Sequence, residues 1–160
     1  MKYLILFTLF PALLWAQYLR PNEEIVYSFE TKNGKKMTLV KDKQNEYIQY
    51  RFGSKNKIEM EFPAERNKES WKKFTYNSYY RGGGKQNAGM ELNYLLFTNN
   101  DYSYKLYRTY QAEDESFSAG IIITDSKGKE TDIAGSYKTV KGRLNSLEDN
   151  KLIKKEDFGL

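Results

Sequence analysis

The chain has 160 residues, 26 Lys and Arg against 21 Asp and Glu, a formal net charge of +5, and neither histidine nor cysteine. Those two absences exclude Ser-His-Asp and Cys-His nucleophile pairs, imidazole acid–base chemistry, disulfides and every His- or Cys-ligated metal site. Stability must then rest on apolar burial, and the small basic excess, spread along the chain without a stripe, suits solubility and weak attraction to anionic surfaces better than nucleic-acid binding.

Residues 1–16, MKYLILFTLFPALLWA, carry Lys2, an apolar run from Leu4 to Leu14 and a small residue, Ala16, at the end. This is the pattern of a secretory signal peptide, with cleavage expected before Gln17 and a periplasmic or secreted product. The apolar run falls short of the roughly 20 residues a membrane-spanning helix needs, so no transmembrane segment is expected in the mature chain. The remainder is the size of one ordinary domain, expected over residues 17–137.

Period-two alternation then dominates. Ile25, Tyr27 and Phe29 alternate with Val26, Ser28 and Glu30, and Asn33-Gly34 reads as a two-residue type I′ hairpin turn. Met37 and Leu39 lie on the return strand; Ile48, Tyr50 and Phe52 form the next face, opposite Tyr47, Gln49 and Arg51. Lys57 to Phe62 alternates charged and apolar residues without a break, and Pro63 ends it for want of an N–H. Runs through Phe74–Tyr80, Met90–Phe97, Tyr102–Leu106, Ser116–Thr124 and a last strand ending near Ile133 follow, separated by turns. About nine strands in sequence with short connections predict an all-β, antiparallel sandwich or barrel. Residues 138–160 are charged and lose the alternation; they read as a tail, a short helix or disordered, with Leu144, Leu147 and Lys151 on a thin helical stripe.

Four stretches, "YSFETKNGKKMTL", "YIQYRFGSKNKIEMEFP", "FTYNSYYRGGG" and "LLFTNNDYSYKLY", together resemble a family of small exported all-β bacterial proteins, over roughly residues 27–135. The resemblance implies export and an all-β fold, and no reaction, cofactor or catalytic residue. In such chains one cysteine lies near the first strand and another after the last, at places corresponding here to Phe29 and Gly135. The resemblance therefore implies that these two positions are close, within about 7 Å between Cα atoms, the ring filling the space and the glycine leaving room for it.

The stretch Tyr79-Tyr80-Arg81-Gly82-Gly83-Gly84-Lys85-Gln86 superficially resembles a phosphate loop. The Walker pattern G-x-x-x-x-G-K-[ST] fails here: the glycine spacing is wrong, Gln86 stands where a metal-binding hydroxyl belongs, and strands lie on both sides. The glycines supply a reversal between strands. Tyr79, Tyr80, Arg81 and Lys85 are candidate contact residues, with rigid aromatic area beside positive charge. Tyr107 has the opposite parity to Leu106 and is the candidate exposed aromatic, the kind of residue that binds sugars on a sheet face. Glu59 and Glu61, about 7 Å apart on one strand face, are the best formal carboxylate pair, but their alternation with apolar residues favours a solvated face. The acidic turns at Glu113–Glu115 and Asp125–Glu130 do not match a calcium loop. No catalytic residue, cofactor or metal is assigned. The reading is a binding module acting by protein–protein contact, for example on a hydrolase. A carbohydrate- or envelope-binding module using exposed tyrosines is the alternative, ahead of a carboxylate-based hydrolase.

Overall fold

A computed structural model describes residues 18–84 and 87–157. The expected signal peptide and its cleavage point lie outside these residues, as do Lys85 and residues 158–160. Each alternating run forms a strand: β1 Glu23–Glu30, β2 Lys35–Asp42, β3 Ile48–Ser54, β4 Lys57–Phe62, β5 Thr75–Arg81, β6 Met90–Asn99, β7 Tyr102–Gln111, β8 Ser116–Thr124 and β9 Glu130–Ala134. Two short strands, β10 Lys141–Gly142 and β11 Lys154–Lys155, complete two sheets ordered β10-β1-β2-β3-β4 and β11-β5-β6-β7-β8-β9. The pairings are antiparallel except that of β11 with β5. The architecture is a β-sandwich.

The core fills the space between the sheets. Phe29, Met37, Leu39, Ile48 and Tyr50 from the first sheet meet Tyr76, Leu95, Phe97, Leu106 and Ile121 from the second. Phe97 stacks on Phe62 at 4.8 Å and on Tyr104 at 4.7 Å between ring centroids, an offset aromatic ladder that locks the two layers. Tyr104 lies at the core rim as its parity requires, whereas Tyr102 is exposed beside the β6–β7 turn.

The β1–β2 hairpin departs from the type I′ expectation. Gly34 N–H donates to Thr31 O at 3.0 Å and Thr31 N–H to Lys35 O at 2.8 Å, and only Gly34 has positive φ, +73°. Three residues form the loop, closed by a left-handed glycine, the G1-bulge form. Gly128 repeats the device between β8 and β9, at φ +79°.

Residues 138–157 are not a detached tail. Leu144 and Leu147, on the 3-10 turn Leu144–Leu147, and Ile153 are buried in the core, while β10 pairs with β1 and β11 with β5. The short helix allowed for this stretch is the 3-10 turn Leu144–Leu147, but its burial was not foreseen, because two-residue strands and short 3-10 turns leave no period in the sequence.

Phe29 and Gly135 are neighbours. A Cβ placed on Gly135 would lie 2.5 Å from the Phe29 ring, and Thr31 bridges to Gly135. The glycine is needed because the ring occupies the space a side chain would take.

Gln49 and Arg51, on the face of β3 opposite Ile48 and Tyr50, are fully buried. Tyr18 O caps Arg51 on that face, while Pro63 O accepts from Gln49 Nε2 at 2.7 Å and Arg66 Nε donates to Gln49 Oε1 at 3.2 Å. Arg51 uses all five N–H groups: Nη1 and Nη2 donate to Glu23 Oε2 and Oε1, each at 2.6 Å, Nη2 also to Gln49 Oε1 at 2.6 Å, Nη1 to Tyr18 O at 3.0 Å, and Nε to Glu61 Oε2 at 3.0 Å.

Candidate functional site

Three consecutive rows across the inner face of the second sheet define the site. The first, Tyr76–Leu95–Leu106–Ile121, is core, each residue at most 2% exposed. The second is Ser78–Asn93–Arg108–Ala119, and the third is Tyr80–Glu91–Tyr110–Phe117. Four residues, about 13 Å of strand, separate the first row from the third. Over that distance Tyr76 at 2% gives way to Tyr80 at 79%, and Ile121 at 1% to Phe117 at 41%. The cause is length: β6 and β7 run ten residues each, against six to eight for β1 to β4, so the inner face of the second sheet continues past its cover.

The uncovered row is mainly aromatic. Phe117 lies between Tyr110 and Tyr137, with centroids 4.5 and 4.7 Å away, forming a three-ring stack on one side. Tyr80 stands on the other side, two strands from Tyr110, or about 10 Å at ordinary strand spacing. Glu91 lies between them.

The middle row supplies the polar floor. Tyr76 hydroxyl donates to Asn93 Oδ1 at 2.6 Å, and Asn93 Nδ2 donates to Glu91 Oε1 at 2.9 Å. Arg108 Nη1 donates to the same oxygen at 2.9 Å, and Asn145 Nδ2 reaches it at 3.5 Å. Burial pushes the Tyr76 phenol up to about 12, so it remains a donor at neutral pH. Among the described residues no protein group donates to Glu91 Oε2. A cleft of about 490 Å³, lined by Ser78, Tyr79, Tyr80, Glu91, Leu92, Asn93, Asn145 and Glu148, opens on the β5–β6 side of these rows, next to the three-ring stack but not lined by it. Its volume lies in the range of sites for small ligands.

The sequence candidates are distributed unevenly around this cleft. Tyr80 is its exposed wall, and Tyr79, half-buried and alternating to the opposite face of β5, borders it as well. Arg81 is half-buried and donates from Nε to Ala88 O at 3.1 Å, bracing the glycine loop from within. In that loop Gly82 and Gly84 have open space around them, and Gly84 N–H donates to Asn87 O at 2.9 Å, as in a strand connector.

Tyr107 is a correction: it sits on the outer face, as parity requires, but it is half-buried and engaged. Its hydroxyl donates to Asp132 Oδ1 at 3.0 Å, and its ring covers Gly120, where a Cβ would lie 2.3 Å from the phenol oxygen. Burial, then the Asp132 carboxylate, push its phenol up to about 12.

Glu59 pairs with Lys35, and Glu61 with Arg51 and Arg66. The carboxylates with a displaced titration, Glu23, Asp42 and Asp114, are all held below the ordinary range, the reverse of what a general acid requires. Asp125 Oδ1 accepts the N–H groups of Lys127 and Lys129 at 2.8 and 2.9 Å, a turn function. Among the described residues no group of three His, Cys, Asp or Glu is placed to hold a metal ion, and no helix is long and apolar enough to cross a membrane.

Tyr110, Phe117, Tyr137, Glu91 and Arg108 were missed as site residues. Sequence spacing could not assemble them, because strand register brings Glu91, Arg108, Tyr110 and Phe117 together and the 3-10 turn Tyr137–Thr139 adds Tyr137, 46 residues from Glu91. No protein-family model, curated protein or solved structure matches this chain.

Proposed function

We propose that the protein is a non-catalytic binding module whose ligand is a glycan seated in the cleft beside Tyr80 and Glu91 and extending along the row toward the Tyr110–Phe117–Tyr137 stack. The observation that carries this reading is an uncovered aromatic row directly above an Arg–Glu–Asn network in which Glu91 Oε2 accepts no bond from the described residues. Sugars present apolar C–H faces and peripheral hydroxyls, so they suit aromatic walls and planar polar groups together. Contact residues lie on a sheet face around a polar floor, which favours the glycan over the protein partner expected from a protruding loop. The expected leader makes an envelope glycan the natural class. A protein partner is the second reading, favoured by Tyr80, which projects at 79% exposure beside the glycine loop as an interface anchor would.

Titration calorimetry of the whole chain with glucose and N-acetylglucosamine oligomers tests the proposal. The expected result is binding weakened at least tenfold by Tyr80→Ala and by Glu91→Gln, with amide shifts confined to the three rows. Absence of binding to either series, with retention of a protein partner that Tyr80→Ala releases, would move the assignment to the second reading.

A further inference from the structure

At the other end of the second sheet, the outer face carries a second cleft, of about 480 Å³, with a different lining. Register places Thr98, Ser103 and Thr124 in one row, and Thr75, Leu96 and Lys105 in the next. Lys72 and Lys73, at the end of the 3-10 turn Lys68–Lys73, stand beside them; Phe97 and Tyr104 also border the cleft, but their rings belong to the inner-face aromatic ladder. No carboxylate lines this cleft. Lys72 is held by Glu69 at 2.8 Å, and Lys105 Nζ lies 5.7 Å from the Tyr94 ring centroid. Lys73 has no carboxylate or carbonyl partner among the described residues.

We infer that this cleft binds a phosphate ester. Two ammonium groups not held by carboxylates, Lys73 and Lys105, flank a row of three hydroxyls, a donor set that exceeds the two oxygens of a carboxylate and fits the several oxygens of a phosphate group. A cation would meet uncompensated positive charge here. Leu96, which shares the outer face with the hydroxyl row, adds apolar area that inorganic phosphate would leave uncovered, and the volume exceeds what that ion needs. The organic part of an ester would occupy both. The ester could be a free small molecule or a lipid headgroup, since both present the same chemistry.

The experiment titrates the full chain with glycerol 3-phosphate, inorganic phosphate and glycerol, and separately with phosphatidylglycerol and phosphatidylcholine vesicles. Amide shifts are expected at Thr98, Ser103 and Thr124. The ester should bind more tightly than inorganic phosphate, glycerol should not bind, and affinity should fall with salt. Lys73→Gln and Lys105→Gln should each weaken binding about tenfold, a loss of about 1.4 kcal/mol. Tyr80→Ala, at the opposite end, should leave it unchanged, which separates this site from the glycan cleft. Lysine-dependent binding to phosphatidylglycerol vesicles alone would assign a lipid headgroup, and equal binding of the soluble ester would assign a free one. The inference is overturned if neither ester source binds, or if both lysine variants bind as the natural chain does.

Discussion

Two clusters of the same chemical make-up sit on the two sheets. On the first, Arg51, Glu23 and Gln49 are closed over by Tyr18, Arg20, Pro63 and Arg66, with both charged side chains at 0% exposure. On the second, Arg108, Glu91 and Asn93 lie at the end of the sandwich, with Arg108 at 12% and Glu91 at 27%. In the closed cluster every guanidinium N–H is used, and Glu23 takes further bonds from Arg20 N–H at 2.7 Å and the Tyr47 hydroxyl at 2.8 Å. In the open one, three donors crowd onto one oxygen of Glu91 and leave the other to the cleft. An arginine–carboxylate–amide group holds the chain together when its last face is covered and can hold a ligand when it is not.

The largest expected effect breaks the closed cluster. Glu23→Ala leaves Arg51 buried without its bidentate partner and should cost about 3–5 kcal/mol in urea denaturation. Joint replacement of Arg51 and Glu23 by Met and Leu should recover most of that loss, because no charge is then left stranded.

Acid should reach the same cluster. Burial raises the Glu23 carboxyl, but the Arg51, Arg20 and Tyr47 hydrogen bonds overcome it and hold the group below its ordinary value. A depressed folded value means the associated stability is complete above the unfolded carboxylate range, near pH 4.5, and is lost as pH falls through the folded value. Thermal melts from pH 6 downward should show a decline near and below that range, and Glu23→Gln should flatten it.

The open cluster should respond in the opposite currency. Arg108→Ala is expected to cost about 1 kcal/mol of stability while reducing glycan affinity at least tenfold. Comparable stability loss from Arg108→Ala and Glu23→Ala would remove the distinction between the clusters. The smallest effect on folding belongs to the most exposed wall. Tyr80→Ala should change stability by less than about 0.5 kcal/mol, read by chemical denaturation, while still abolishing most binding.

Much of the fold was legible in the sequence because a strand buried on one face writes its parity directly into the residues, as in Lys57–Phe62. Parity fails where a third layer arrives. It placed Gln49 and Arg51 on the face away from Ile48 and Tyr50, correctly, but could not report that Tyr18 would cap Arg51 and Pro63 and Arg66 would cap Gln49. It put Tyr107 on the outer surface, again correctly, yet the ring lies down on Gly120 because the opposing residue has no side chain. The candidate site was legible only through Tyr80. Its other residues reach the same place through the register of four strands, and nothing in the local sequence of Glu91 or Phe117 records the neighbour it will acquire.

The course of residues 135–156 has a consequence for aggregation. Ser136 N–H bonds Glu30 O at 2.7 Å and Arg143 N–H bonds Val26 O at 2.9 Å, while Glu156 N–H bonds Tyr76 O at 3.2 Å. One continuous stretch thus acts as a selvedge, occupying hydrogen-bonding groups along β1 and then along β5 that would otherwise invite another chain to pair. The two remaining borders are guarded by composition, with Lys57, Glu59 and Glu61 along β4 and Glu130 and Asp132 along β9. A sandwich without disulfides thereby resists sheet-to-sheet polymerisation by strapping two of its borders and charging the other two.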